Sequence, residues 1–184
     1  MAQDHHHETL QAGSVHKDQS IYHLNAEWTD QREESLALED FMGNPVMVVM
    51  FYGNCTDVCP ILIQDAWRVF SQLSEQARNR VKVLAVTFDP ENDTPEVLYE
   101  YAEYEQLNRE EWHFMTSDKS SIRELAMLLG VQYRERSDGM FEHSNLITVL
   151  DEEGRISHRI EGLGQSVEEA VAVIEEITGQ EPDS

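Results

Sequence analysis

Val46-Met47-Val48-Val49-Met50-Phe51-Tyr52-Gly53-Asn54-Cys55-Thr56-Asp57-Val58-Cys59-Pro60 is an unbroken apolar stretch running into a short polar loop that holds the only two cysteines of the chain. The stretch shows no polar alternation, so it reads as a strand buried on both faces. Pro60 fits the first position of a helix, where the missing N–H costs nothing. From there Leu62, Ile63, Ala66, Trp67, Phe70 and Leu73 recur at helical spacing, which predicts a helix to about Arg78 with the cysteines at its mouth. Cys59 is expected at the N-cap, where the positive end of the helix dipole favours thiolate over thiol. Three residues between the sulfurs, C-x-x-x-C, let both converge on one metal ion, and thiolate pairs select soft ions such as Cu(I).

Outward from this unit the elements alternate. Residues 21–28 and 35–38 suggest a hairpin entry, and 81–88 a second strand buried on both faces. Pro95 opens a helix to about residue 107, and 113–116 is a short strand. Asp118 or Ser120 can cap a helix through Leu129, with Gly130 as its stop. Residues 131–134 and 145–150 read as strands around an irregular loop, 137–144. A turn at 151–154 joins 145–150 to 155–161 as a hairpin. Ser166, with Glu169 three residues on, reads as the capping box of a last helix that ends before Gly179. This order predicts an α/β fold, a central mixed sheet flanked by helices with an N-terminal β-hairpin extension. Trp67 and Phe70 are assigned to the core, and Tyr99, Tyr101 and Tyr104 to packing. The expected organisation is a flexible tail over 1–20, one domain over 21–179 and a disordered tail over 180–184.

Length and charge set limits. At 184 residues and 40% hydrophobic content the chain suits one compact domain. Acidic residues outnumber Lys and Arg 36 to 13, a formal charge of −23, so the field repels nucleic acid and anionic lipid. A solvated surface, a saline habitat or a basic docking partner each accounts for that acidity. The apolar runs fall far short of the roughly 20 residues a spanning helix needs, and no signal-peptide apolar region follows Met1. The chain as given is expected to be soluble, with membrane contact only through a removed anchor. Two cysteines do not settle the redox compartment.

Two thiolates are an incomplete site for most metals. Of the eight histidines, His143 is the candidate third ligand, because its place before the 145–150 strand brings it back over the mouth of the first helix. Two sulfurs and an imidazole suit Cu(I) and can also hold Cu(II). A structural zinc site would want a fourth protein ligand. Affinity should fall in acid, where protons compete for thiolate and imidazole. Asp57, between the cysteines, either orients a docking partner or caps a turn. In Asp89-Pro90-Glu91-Asn92-Asp93-Thr94-Pro95, Asp93 or Thr94 can cap the Pro95 helix. Asp89 ends the partner strand and is a candidate for supporting the cysteines from behind. His5, His6 and His7 form a short tract of the kind that binds metals unspecifically, and cleavage after Ala2 would leave Gln3-Asp4-His5, an amino-terminal Cu(II) chelate.

Three segments carry a resemblance: Phe51 through Cys59-Pro60, Phe88-Asp89-Pro90-Glu91-Asn92-Asp93-Thr94-Pro95, and Glu142-His143-Ser144 before the last hairpin. In this order they resemble the Sco/SenC family over roughly residues 21–178. The resemblance implies a thioredoxin-like fold, copper as the bound metal, and a role in cytochrome c oxidase assembly. It places the family's copper ligands on Cys55, Cys59 and His143 and its acidic residue between the cysteines on Asp57. The chain departs from the family pattern at Asn54, Thr56 and Glu142, where Thr, Pro and Asp are usual. A copper chaperone is therefore expected, delivering copper to, or reducing the cysteines of, the CuA site of a terminal oxidase or related cuproenzyme. A periplasmic copper donor or thiol reductant would be a second partner, and the location periplasmic or otherwise extracytoplasmic.

The alternative is a thiol-disulfide oxidoreductase in which Cys55 attacks and Cys59 resolves. Such enzymes resemble one another in a cis-Pro facing the cysteine pair, and this chain has no Pro between Pro95 and Pro182. A one-thiol peroxidase would want an Arg and a Thr around its cysteine, for which Thr56 alone is thin support.

Overall fold

Nothing polar along residues 46–51 asks for water, and this run becomes the middle strand of the sheet. In the computed structural model, residues 10–55 and 59–179 are described. The elements are β1 (Trp28–Thr29), β2 (Ser35–Leu36), β3 (Val46–Phe51), α1 (Cys59–Ser71), α2 (Glu75–Arg80), β4 (Lys82–Thr87), α3 (Pro95–Tyr104), β5 (Trp112–Met115), α4 (Lys119–Leu129), β6 (Tyr133–Glu135), β7 (Phe141–His143), β8 (Leu146–Leu150), β9 (Ile156–Glu161) and α5 (Glu168–Gly179). The central sheet has the order β5-β4-β3-β8-β9. β3, β4 and β5 run parallel, whereas β8 and β9 are antiparallel to their neighbours. Every residue of β3 is buried, as a strand covered on both faces requires. α1 packs on β3 and β8 with α5 beside it, and α3 packs on β5. The mixed sheet flanked by helices is the architecture the alternating pattern called for.

Of the boundaries that differ from the sequence reading, four have a clear local reason. The first helix stops at Ser71 rather than near Arg78, because Ser74 starts a second one: its side chain accepts the Ala77 N–H. The loop expected over 137–144 is a hairpin. Asp138-Gly139 is a turn signal; Gly139 takes φ +82°, and Arg136 N–H donates to Met140 O at 2.7 Å. β6 and β7 pair with Tyr133 opposite His143. Residues 21–23 form a single helical turn rather than a strand, so the entry hairpin consists of β1 and β2 only. The last helix begins at Glu168, and buried Val167 takes the cap position ahead of Ser166, its carbonyl accepting the Val171 N–H.

The described part of the expected N-terminal tail is not loose either. Gly13 N–H donates to Gly130 O at 2.7 Å, Arg159 Nη1 to Gly13 O at 3.2 Å and the Ser144 hydroxyl to Gln11 O at 2.9 Å. Ser20 is buried, with its hydroxyl on Glu153 O. Backbone groups that pair this way belong to the fold, so the packed domain starts before residue 21. His5, His6 and His7, and the 180–184 tail, lie outside the described residues. Tyr99 and Tyr104 are exposed rather than packed, and of the three only Tyr101 packs, its ring tilted against Phe51 and Phe114.

Candidate metal centre

Local backbone rules bring the two sulfurs together. β3 ends at Phe51, and the chain turns so that Cys55 N–H donates to Tyr52 O at 3.2 Å. Cys59 is the first residue of α1, and its N–H, one of the donors every helix leaves unpaired at its start, reaches Cys55 Sγ at 3.2 Å. Neither cysteine is in a disulfide, and both are buried. The first N–H of α1 thus points at the Cys55 sulfur.

That geometry corrects the expectation for Cys59. Its thiol is pushed well above the ordinary range, first by its side-chain hydrogen bond with Cys55, then by burial and by the charge of Cys55. A metal ion that takes Cys59 as ligand must displace this proton, which couples binding to pH.

His143 arrives from the other side, as the last residue of β7. Its Nδ1 lies 2.9 Å from Ser144 O. A carbonyl only accepts, so Nδ1 carries the proton and Nε2 presents its lone pair. Nε2 faces Cys59 Sγ at 3.5 Å. Ser144 is itself fixed: its N–H donates to Gln132 O, and its hydroxyl accepts the Gln132 N–H while donating to Gln11 O. Around the imidazole stand Phe88, with ring centroids 5.0 Å apart, and Tyr52, edge-on at 6.1 Å. The Tyr52 hydroxyl reaches Phe141 O at 3.4 Å, tying the end of β3 to β7.

One donor atom each from Cys55, Cys59 and His143 lies within 4.8 Å of the others. This is the single such cluster of His, Cys, Asp or Glu among the described residues. Two sulfurs and one nitrogen, all on buried residues, fit a thiophilic ion that accepts low coordination, copper above all.

The acidic candidates fare differently. Asp57 lies outside the described residues. Asp89 is buried, but its carboxylate accepts from Asn92 Nδ2 at 2.8 Å within its own loop. Asp93 reaches toward the cysteines instead: its Oδ2 accepts Gly53 N–H at 3.0 Å and the Thr87 hydroxyl. Thr94 is the cap of α3, accepting Val97 N–H. With Pro95 at N1 only Thr94 can stand at N-cap, so the sequence held a signal that Asp93 was left over for another task.

A model of the family described as SCO1/SenC matches residues 17–179. A protein of Stutzerimonas stutzeri whose name proposes copper binding is 24% identical over 138 residues, 73% of this chain and 66% of that protein. The chain thus spans just under two thirds of that relative's length. Among solved structures, copper-bound ScoI of Bradyrhizobium japonicum superposes with TM-score 0.66 at 23% identity, covering 83% of this chain and 96% of that one. BsSco, described as a member of the Sco family of cytochrome c oxidase assembly proteins with a disulfide switch, superposes with TM-score 0.72 at 18% identity, covering 94% and 96%. These likenesses share the thioredoxin-like fold, and the family match runs across nearly the whole described chain. The chain belongs to the SCO1/SenC family.

Proposed function

We propose that this protein is a copper metallochaperone that holds its cargo on Cys55, Cys59 and His143. The observation that carries the reading is the convergence of these three donor atoms within 4.8 Å, with the imidazole already in the tautomer a metal needs. Supporting it are relatives whose names or structures include copper. Two thiolates hold Cu(I), and the imidazole extends the set to Cu(II). Release proceeds by ligand exchange: a client thiol or imidazole replaces one donor at a time, and protons return to the sulfur and nitrogen set free. By likeness to a family of oxidase assembly proteins, the client is the CuA-bearing subunit of a terminal oxidase. The site of action is extracytoplasmic, with a periplasmic copper donor or thiol reductant upstream. No helix among the described residues is long and apolar enough to cross a membrane.

A second reading shares the same atoms. The two sulfurs are close enough for Cys55 to attack a partner disulfide and for Cys59 to displace the partner. The partner gains two electrons, and a Cys55–Cys59 bond forms. That bond removes both sulfur ligands, so thiol exchange would switch copper binding off.

The test is an anaerobic titration of the reduced protein, with and without its first seven residues, with Cu(I) and with Cu(II), following sulfur-to-copper charge-transfer absorption. One tight equivalent is expected in both forms and is lost in His143→Ala, which should keep its disulfide chemistry. Wild-type copper affinity in His143→Ala would overturn the ligand assignment. Absence of any tight site, with the cysteines cycling readily, would leave the oxidoreductase reading.

A further inference from the structure

The turn that delivers Cys55 is gripped from the neighbouring loop. Asp93 is 2% exposed, and its Oδ2 accepts the backbone N–H of Gly53, two residues before Cys55. The same oxygen takes the hydroxyl of Thr87, the last residue of β4, and that hydroxyl accepts the Asp89 N–H. A Cβ at position 53 would stand 2.6 Å from Asp93 Oδ1. Only glycine lets the carboxylate close on the backbone here. A buried carboxylate oxygen held by the Thr87 hydroxyl and turned onto the Gly53 N–H, at a glycine made necessary by that contact, is a specific clamp on the cysteine turn.

We propose that Asp93 is a positioning residue for copper: by holding Gly53 it sets the Cys55 sulfur at the distance from Cys59 and His143 that one ion requires. The proposal rests on the three-ligand site above. Cys59 is fixed by α1, and His143 by β7 and Ser144. Cys55 instead sits in a turn between β3 and α1, where its N–H donates to Tyr52 O and its sulfur accepts the Cys59 N–H, so loss of the clamp on Gly53 acts first on this ligand. Metal sites tolerate only a few tenths of an ångström in donor distance, and loss of an outer partner costs about 10- to 100-fold in affinity.

The experiment compares Asp93→Ala, Asp93→Asn, Gly53→Ala and the double variant Gly53→Ala/Asp93→Ala in the full chain. Two readouts run in parallel: Cu(I) affinity with the Cu(II) charge-transfer band, and the Gly53 amide by nuclear magnetic resonance without metal. Asp93→Ala should lose protection at the Gly53 amide, bind copper about 10- to 100-fold more weakly and shift the band. Asp93→Asn keeps an acceptor and should stay within about threefold of wild type. Gly53→Ala pushes the carboxylate away and should match Asp93→Ala. The double variant should be no worse than either single one, because both break the same contact. Should Asp93→Ala fail to fold, Gly53→Ala carries the same prediction with the carboxylate still present. Wild-type affinity and band in a variant whose Gly53 amide has lost protection would overturn the positioning role, as would additive losses. A wild-type protein without a tight copper site would instead defeat the ligand assignment, while the amide still reports the clamp.

Discussion

One thiol of the centre and three phenols of the domain are held protonated by their surroundings. Cys59 is held as a thiol by its bond with Cys55 and by burial. Burial raises Tyr22 and Tyr101 well above the ordinary phenol range, and pushes Tyr52 up to about 12. Each folded-state value lies above its unfolded one, so the stability these groups contribute is whole below the ordinary thiol and phenol values, about 8.5 and about 10. It is lost as pH rises through that range and beyond. The copper-free protein should therefore melt at a constant temperature through neutral pH and at falling temperatures above about pH 9. Tyr101→Phe removes a buried hydroxyl that has no partner and should lessen the fall, as read by circular dichroism melts at pH 7 to 11. A melting temperature indifferent to alkali would contradict this account. The residue identities were legible beforehand, since Cys55, Cys59 and His143 stand out by type and spacing. The Cys59 proton was not, because it depends on the bond with Cys55 and on burial.

At the scale of elements, endings are set by capping, and one ending does more than stop a helix. Gly130 closes α4 at φ +71°, and a Cβ there would lie 2.6 Å from Val15 Cγ1 and 2.7 Å from Gly13 O. The glycine both turns the chain and receives the N-terminal segment. Gly130→Ala should cost about 1–3 kcal/mol in chemical denaturation, the scale of a residue forced into a disfavoured backbone region. It should also loosen residues 11–15 in amide exchange; stability within about 0.5 kcal/mol of wild type, the scale of a neutral surface change, would show that the contact carries nothing. Gly130 as a stop was readable from its place after the last periodic position. That it seats Gly13 was not, because residues 1–20 have no period and the contact spans the whole domain. The break between α1 and α2 at Ser74 was likewise hidden under a helical pattern that continues through it.

For the molecule as a whole, the formal charge of −23 on 184 residues works against compaction. Salt screens that repulsion, with a Debye length of about 8 Å at physiological ionic strength. Raising sodium chloride from 20 mM to 500 mM should raise the melting temperature of the copper-free protein, and an unchanged or lower value would mean the acidic groups are too dispersed to repel. The same field favours a basic client surface, so association with one should weaken with salt. The buried strands β3 and β4 were legible in sequence because a strand covered on both faces must be apolar throughout. Their order in the sheet was not, since pairing depends on which elements cover which faces.

Composition and spacing by themselves determined that this chain builds an α/β domain around an apolar strand, ends that strand in a thiol pair at a helix mouth, and supplies a histidine late enough to return to it. These are local facts: period, turn chemistry and ligand type are properties of short segments. Only the tertiary structure decided that His143 sits on a strand opposite Tyr133 with Nε2 toward Cys59, and that Asp93 rather than Asp89 holds the cysteine turn. The approach of His143 to Cys59 and the bond from Gly53 to Asp93 join segments forty or more residues apart, and a hydrogen bond made across a packed core has no period or spacing to announce it.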